Sequence, residues 1–265
     1  LAMMKIGAHN VLITNPRDMP GFMKELGKVK FTVITGVNTL FNGMMNAEGF
    51  ANLDFSTLKV AVGGGMAVQE ATAKKWEKIT GVPLAEGYGL TETSPVATCN
   101  PIDGTERIGT IGIPLPNTDV KIIDDEGKDV GIGHRGEICI KGPQVMKGYW
   151  NRPEETAKVM DGEWFKTGDI AVVEDGYFKI LGRDSVDIIK SGGYKISALE
   201  IEEVLRKYPG VKDCGVIGIP DEEWGELVAA ALVTEENIDV NVLNAWIRER
   251  MPAYKTPRKF LVVED

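Results

Sequence analysis

The chain has 265 residues, 43% hydrophobic and 26% charged, with a formal net charge of -9. That size holds one large core plus a smaller appended unit, and the composition argues against disorder. The absence of a basic stripe argues against nucleic-acid binding, the two histidines (His9 and His134) against a Ser–His–Asp triad or a histidine-held metal, and the lack of an apolar run near ~20 residues against a membrane span.

The chain opens at Leu1 inside what reads as a helix end, with neither a start methionine nor a secretory leader, which suggests a fragment. Residues 10–15 read as a short strand, and Asp18 offers an N-cap to a helix through Met23 and Leu26. Residues 31–34 form a buried strand, after which Asn38 is placed to cap a helix carrying Leu40, Phe41, Met44 and Met45. The apolar run 58–62 ends in Gly63-Gly64-Gly65. A helix is expected over 67–80, with Val68, Ala71 and Trp76 near one face. This alternation of strand and helix implies a mostly parallel sheet covered by helices.

From about residue 101 the strands shorten and glycine turns multiply, as expected of a β-rich subdomain. Strands are read at 120–123, 137–141 and 178–181, with Asp175-Gly176 as a hairpin turn. Beyond Arg183 the pattern is α+β. Ser197 and Glu200 make a capping box for a helix bearing Leu199, Ile201, Val204 and Leu205. Strands over 214–219 and 228–233 follow, then a helix with Val242, Leu243, Trp246, Ile247 and Met251 at helical spacing. Cys99, Cys139 and Cys214 lack metal or redox spacing, which fits a reducing, cytoplasmic compartment.

Four segments carry chemistry. Glu86-Gly87-Tyr88-Gly89-Leu90-Thr91-Glu92 combines a flat ring, glycines, a hydroxyl and a carboxylate just after a strand. Such a set suits a nucleotide: Tyr88 against the base, glycine backbone near the ligand, Thr91 on phosphate, Glu92 on Mg²⁺. A strand-to-loop turn with a chance polar cluster is the other reading. Trp164-Phe165-Lys166-Thr167-Gly168-Asp169 offers a carboxylate able to accept from two neighbouring hydroxyls, unless Asp169 is only a turn residue. Gly182-Arg183 opens a stretch running through Lys190 to Gly193, where Lys190 is either a charge partner or a solvated strand end. The Gly63–Gly65 run precedes a helix and is equally explained by a flexible turn.

In this order and with these separations, the segments resemble the adenylate-forming (AMP-binding) superfamily, and in particular its acyl-CoA synthetases. The resemblance covers the whole chain. It implies an α/β fold: a partial large domain at 1–182, with a mostly parallel sheet and the β subdomain, followed by a truncated, mobile α+β C-terminal domain at 183–265. The same resemblance implies nucleotide contacts from Gly64, Gly65, Glu86, Gly87, Tyr88, Thr91, Asp169, Arg183 and Gly193. Asp169 and Arg183 would grip the ribose, and Thr91, Glu92 and Lys190 would serve catalysis, with Glu92 on the metal. Gly136–Pro143 and Gly148-Tyr149-Trp150-Asn151 also follow the family pattern, and no catalytic task is assigned to them.

The implied reaction uses ATP, Mg²⁺ and CoA to convert a carboxylic acid to an acyl-adenylate and then to acyl-CoA. Residues 10–18 and 36–41 resemble bacterial long-chain fatty acyl-CoA synthetases, whereas 182–190 and 197–202 look more like malonyl-CoA synthetases. Since the acyl pocket of this superfamily belongs to the large domain, a long-chain fatty acid is the expected substrate. Malonate, and a catalytically silent nucleotide-binding fragment, are the alternatives. The family's phosphate loop is expected upstream of residue 1 and its adenylation lysine beyond Asp265, so little adenylation is expected from the chain alone. Ser185 stands where many relatives carry Asp or Lys, which leaves the pivot residue open. Oligomeric state is not legible, and peripheral membrane contact is left open.

Overall fold

The structure, a computed structural model, describes residues 2–235 and 238–263. It divides into two compact units, Leu1–Asp119 with Gly142–Trp150, and Val120–Lys141 with Asn151–Asp265.

The first unit contains α1 (Ala2–Lys5), α2 (Met19–Leu26), β1 (Val33–Gly36), α3 (Asn38–Asn46), β2 (Val60–Gly63), α4 (Glu70–Thr80), β3 (Leu84–Gly89), β4 (Val96–Cys99) and β5 (Ile113–Pro114). The helix expected at the start of the chain is α1; Leu1 itself lies outside the described residues. The sheet runs β1-β2-β3-β4-β5. β1, β2 and β3 are parallel, and β4 turns back antiparallel along β3. Its core gathers Phe41, Met44, Phe50, Leu58 and Trp76. Trp76 is fully buried and meets Phe41 edge-on at 4.9 Å between ring centroids.

Several local expectations need correction. Residues 10–15 form no strand: Val11 and Leu12 are exposed, and only Ile13 packs against the core. Asp18 does cap α2, accepting from the Gly21 N–H at 3.1 Å. Asn38 is not a cap. It lies inside α3, and its Oδ1 instead accepts from the Gln69 N–H at 3.0 Å. α4 begins at Glu70 and buries Thr72, Ala73 and Trp76, while Ala71 faces solvent.

The second unit contains β6 (Asp119–Ile123), β7 (Gly136–Lys141), α5 (Pro153–Val159), β8 (Met160–Asp161), β9 (Trp164–Glu174) and β10 (Tyr177–Arg183). These strands form one sheet in the order β10-β9-β7-β6, with β8 on β9. The β9–β10 hairpin turns at Asp175 (φ 50°) and Gly176 (φ 86°), the pair of left-handed residues a two-residue turn needs. Further along come β11 (Ile188–Ser191), β12 (Tyr194–Ser197), α6 (Ala198–Leu205), β13 (Val211–Asp221), β14 (Gly225–Thr234), α7 (Val240–Arg248) and β15 (Lys259–Val262). Their sheet runs β12-β11-β14-β13, with β15 parallel to β14. Ile196, Ile201, Leu205, Leu232, Leu243 and Ile247 are fully buried between sheet and helices.

β13 and β14 both outrun the expected apolar stretches, because their partly exposed ends still pair across the ladder, as at Pro220 with Glu226. Val242, placed on the apolar stripe of α7 by spacing, is exposed. The Ser197 cap is half of the expected box. Its hydroxyl accepts from the Glu200 N–H at 3.1 Å, but the Glu200 carboxylate turns away to Lys255 Nζ at 2.7 Å.

Candidate functional site

In the first unit, the expected residues gather at the carboxyl ends of β2 and β3, where open α/β sheets bind their ligands. Gly63 of β2 pairs with Glu86 of β3. A Cβ added to Gly64 would stand 3.0 Å from the Gly87 carbonyl oxygen, so the glycine turn lies against β3. Gly65 follows with φ +78°. Tyr88 is half-buried opposite Thr98, and a register shift between Tyr88 and Gly89 re-aims the chain. Gly89 cannot carry a side chain: its Cβ would fall 1.8 Å from the Pro95 carbonyl oxygen.

Thr91, Glu92 and Thr93 form one 3₁₀ turn beyond β3. Thr93 is fully buried, and its Oγ1 accepts from the Leu90 N–H at 2.9 Å and donates to the Pro95 carbonyl. Thr93 therefore ties the loop down, while Thr91 stays exposed and Glu92 half-exposed. The Tyr149 hydroxyl donates to Glu92 Oε1 at 2.8 Å, and the Met146 N–H donates to the Glu92 carbonyl at 2.7 Å.

Glu86 has a different character. It is 8% exposed and accepts from the Val68 N–H at 3.2 Å, beside a small cavity of about 10 Å³ shared with Val68, Leu84 and Asn100. Burial pushes its carboxyl up to about 7, against the opposing pull of the Val68 N–H. A larger open cleft of about 830 Å³ lies along β1, lined by Ile13, Phe22, Phe31 and Ile34; none of the expected nucleotide residues lines it.

In the second unit, Asp169 on β9 and Arg183 on β10 are cross-strand partners. Arg183 Nε donates to Asp169 Oδ1 at 2.9 Å; the Asp169 side chain is 12% exposed and that of Arg183 48%. The Thr167 hydroxyl donates to the Ile138 carbonyl at 2.9 Å and accepts from the Asp169 N–H at 3.0 Å. Glu137 Oε1 accepts from the Gly168 N–H at 2.8 Å. Lys190 Nζ lies 3.5 Å from Asp184 Oδ2, and Asp184 in turn donates its N–H to the Gly168 carbonyl at 3.0 Å. Gly193 sits elsewhere, in the β11–β12 hairpin turn, where Gly192 (φ +56°) and Gly193 (φ +81°) supply the two left-handed positions.

Sequence reading left Tyr149, Glu137 and Thr167 without roles. Tyr149 and Glu137 stand in segments that follow the family pattern, but their partners lie 57 and 31 residues away, beyond the reach of local spacing.

The profile of the AMP-binding enzyme family matches residues 1–150, and that of the AMP-binding enzyme C-terminal domain matches residues 200–265. The chain belongs to the AMP-binding enzyme family. A long-chain-fatty-acid–CoA ligase of Yersinia pestis is 48% identical over 260 residues, which are 97% of this chain and 46% of that protein. The AMP-binding chain thus spans about half the length of the curated relatives it matches. Among solved structures, the anthranilate CoA ligase AuaEII in complex with anthranoyl-AMP aligns with a TM-score of 0.85 and 30% identity, over 98% of this chain and 51% of that one. ATP-bound MatB from Rhodopseudomonas palustris aligns with a TM-score of 0.82 and 32% identity, over 95% and 50%.

Proposed function

We propose that this chain works, as part of a longer enzyme, in the ATP-dependent activation of a long-chain fatty acid to an acyl-adenylate and then to acyl-CoA. The observation that carries the reading is the 48% identity to a long-chain-fatty-acid–CoA ligase across 97% of the chain. In the first half-reaction the substrate carboxylate attacks the α-phosphate of ATP, and pyrophosphate leaves. In the second, the CoA thiolate attacks the acyl carbonyl, and AMP leaves. Both steps depend on positioning and on neutralising phosphate charge.

The residues suit those duties. Tyr88 offers a ring for the base, with Gly64, Gly65, Glu86 and Gly87 shaping the backbone beside it. Thr91, exposed at the start of its turn, donates to phosphate. Asp169, which accepts from Arg183, is a carboxylate of the kind that can accept from two neighbouring ribose hydroxyls. Lys190 and Gly193 serve the thioester step, with a pivot near Arg183 separating a mobile part at 183–265 from the rest.

Magnesium also fits the donor set. Among the described residues no cluster of three metal-ligating side chains exists, but Mg²⁺ bound to nucleotide takes most of its ligands from phosphates and water. One half-exposed carboxylate, Glu92, is what the protein then needs to provide. When bound, the ion supplies charge neutralisation at the phosphates. Among the described residues no helix is long and apolar enough to cross a membrane, and the three cysteines are free thiols, which favours a cytoplasmic site of action.

Isothermal titration of the chain with non-hydrolysable palmitoyl-adenylate and malonyl-adenylate analogues tests the substrate class. Tighter binding of the palmitoyl analogue is expected. Tighter binding of the malonyl analogue would overturn the long-chain assignment, and binding of neither would overturn the nucleotide reading.

A further inference from the structure

Residues 142–150 connect β7 to α5, yet they pack with the first unit. Two contacts along this stretch hold it against the turn that carries Glu92, and a third anchors it elsewhere in the same unit. Gln144 Nε2 donates to Thr118 Oγ1 at 2.8 Å, anchoring the strap at its start. The Met146 N–H donates to the Glu92 main-chain carbonyl at 2.7 Å. The Tyr149 hydroxyl donates to Glu92 Oε1 at 2.8 Å. One strap thus grips both the backbone and the side chain of the same glutamate.

A half-exposed glutamate on a short turn has three side-chain bonds to fix, an entropic cost that a holding contact must offset. A phenol bonded to a carboxylate is a charge-assisted hydrogen bond, strong enough to offset that cost. It occupies one carboxylate oxygen and leaves Oε2 available for another ligand. The neighbouring Trp150 is 90% exposed, so the strap ends in a residue that contributes nothing to this grip.

We propose that Tyr149 is a positioning residue, whose hydroxyl fixes the Glu92 carboxylate so that one oxygen is held and the other is presented to a divalent cation. The geometric half of this inference stands on the structure alone; the cation rests on the role proposed for Glu92 above.

The test uses the 265-residue chain labelled with ¹³C-glutamate, with the Glu92 signal identified by its loss in Glu92→Gln. Side-chain couplings should report a single Glu92 rotamer in the wild type and averaged rotamers in Tyr149→Phe, with Trp150→Phe like the wild type. Mn²⁺ added with AMP should broaden the Glu92 carboxyl signal, and Tyr149→Phe should raise the Mn²⁺ concentration needed by roughly 10–100-fold, as loss of a partner behind a metal ligand does. Unchanged Glu92 rotamers in a folded Tyr149→Phe variant would overturn the positioning role. If the wild type shows one rotamer that the variant loses, but no broadening by Mn²⁺, positioning is upheld and the metal role of Glu92 falls.

Discussion

Glu86 shows how much a single burial can decide. Native Glu86 keeps its proton up to about pH 7, whereas an unfolded chain releases it near the ordinary value of 4.5. Between those values the native state binds more protons, so stability must fall as pH rises through the window. The full loss amounts to about 3 kcal/mol above pH 7. In Glu86→Gln that slope should vanish, and urea unfolding at pH 5 and pH 8 would reveal it. The thiols offer a second check at this scale. Burial pushes Cys139 and Cys214 up to about 11, and both are more buried than Cys99. A disulfide reagent at pH 8 should therefore modify Cys99 first in the native chain, and equal rates at all three would contradict the burial described. Local chemistry made Glu86, Tyr88, Thr91 and Glu92 legible as a group, because they fall within seven residues on one strand and its turn. It could not show that Glu86 points inward to Val68 while Glu92 points outward to Tyr149, since facing depends on what packs behind the strand.

At the scale of elements, caps and cores were read with unequal success. Asp18 and Ser197 were recognisable as caps because the bond is local. Ser197→Ala should cost about 2 kcal/mol in chemical denaturation. That cost sits at the upper end of the usual range, since the same hydroxyl donates to the buried Leu181 carbonyl. Asn38 looked like the same kind of residue, but its partner is the Gln69 N–H, 31 residues away, so spacing misplaced it by one position. Residues 10–15 had strand-like composition without the neighbours that make a strand. Trp76 was legible as core, though its contacts with Phe41 and Phe50 were not. Trp76→Ala should destabilise by about 3–5 kcal/mol, and Trp76→Phe by much less, because the indole N–H has no hydrogen-bond partner among the described residues.

Across the whole molecule, the alternation of strands and helices carried the α/β fold class, because hydrophobic period and turn chemistry are written locally, whereas the family rested on the resemblance of the motif segments. The long-range polar contacts were not legible. Lys255, with a side chain 9% exposed, reaches Glu200 Oε2 at 2.7 Å, and Arg135 approaches the same carboxylate at 3.3 Å. Glu200→Gln would leave a buried ammonium without its countercharge, and should cost about 2 kcal/mol with little dependence on salt. The claim on which the functional account rests is that Asp169 accepts from the ribose hydroxyls of a bound adenylate. The most direct measurement compares AMP with 2′,3′-dideoxy-AMP by isothermal titration, in the wild type and in Asp169→Ala. The wild type should prefer AMP by roughly tenfold or more, and the variant should bind both alike. A wild-type chain that binds the two equally, or a variant that keeps the full preference, would contradict the account.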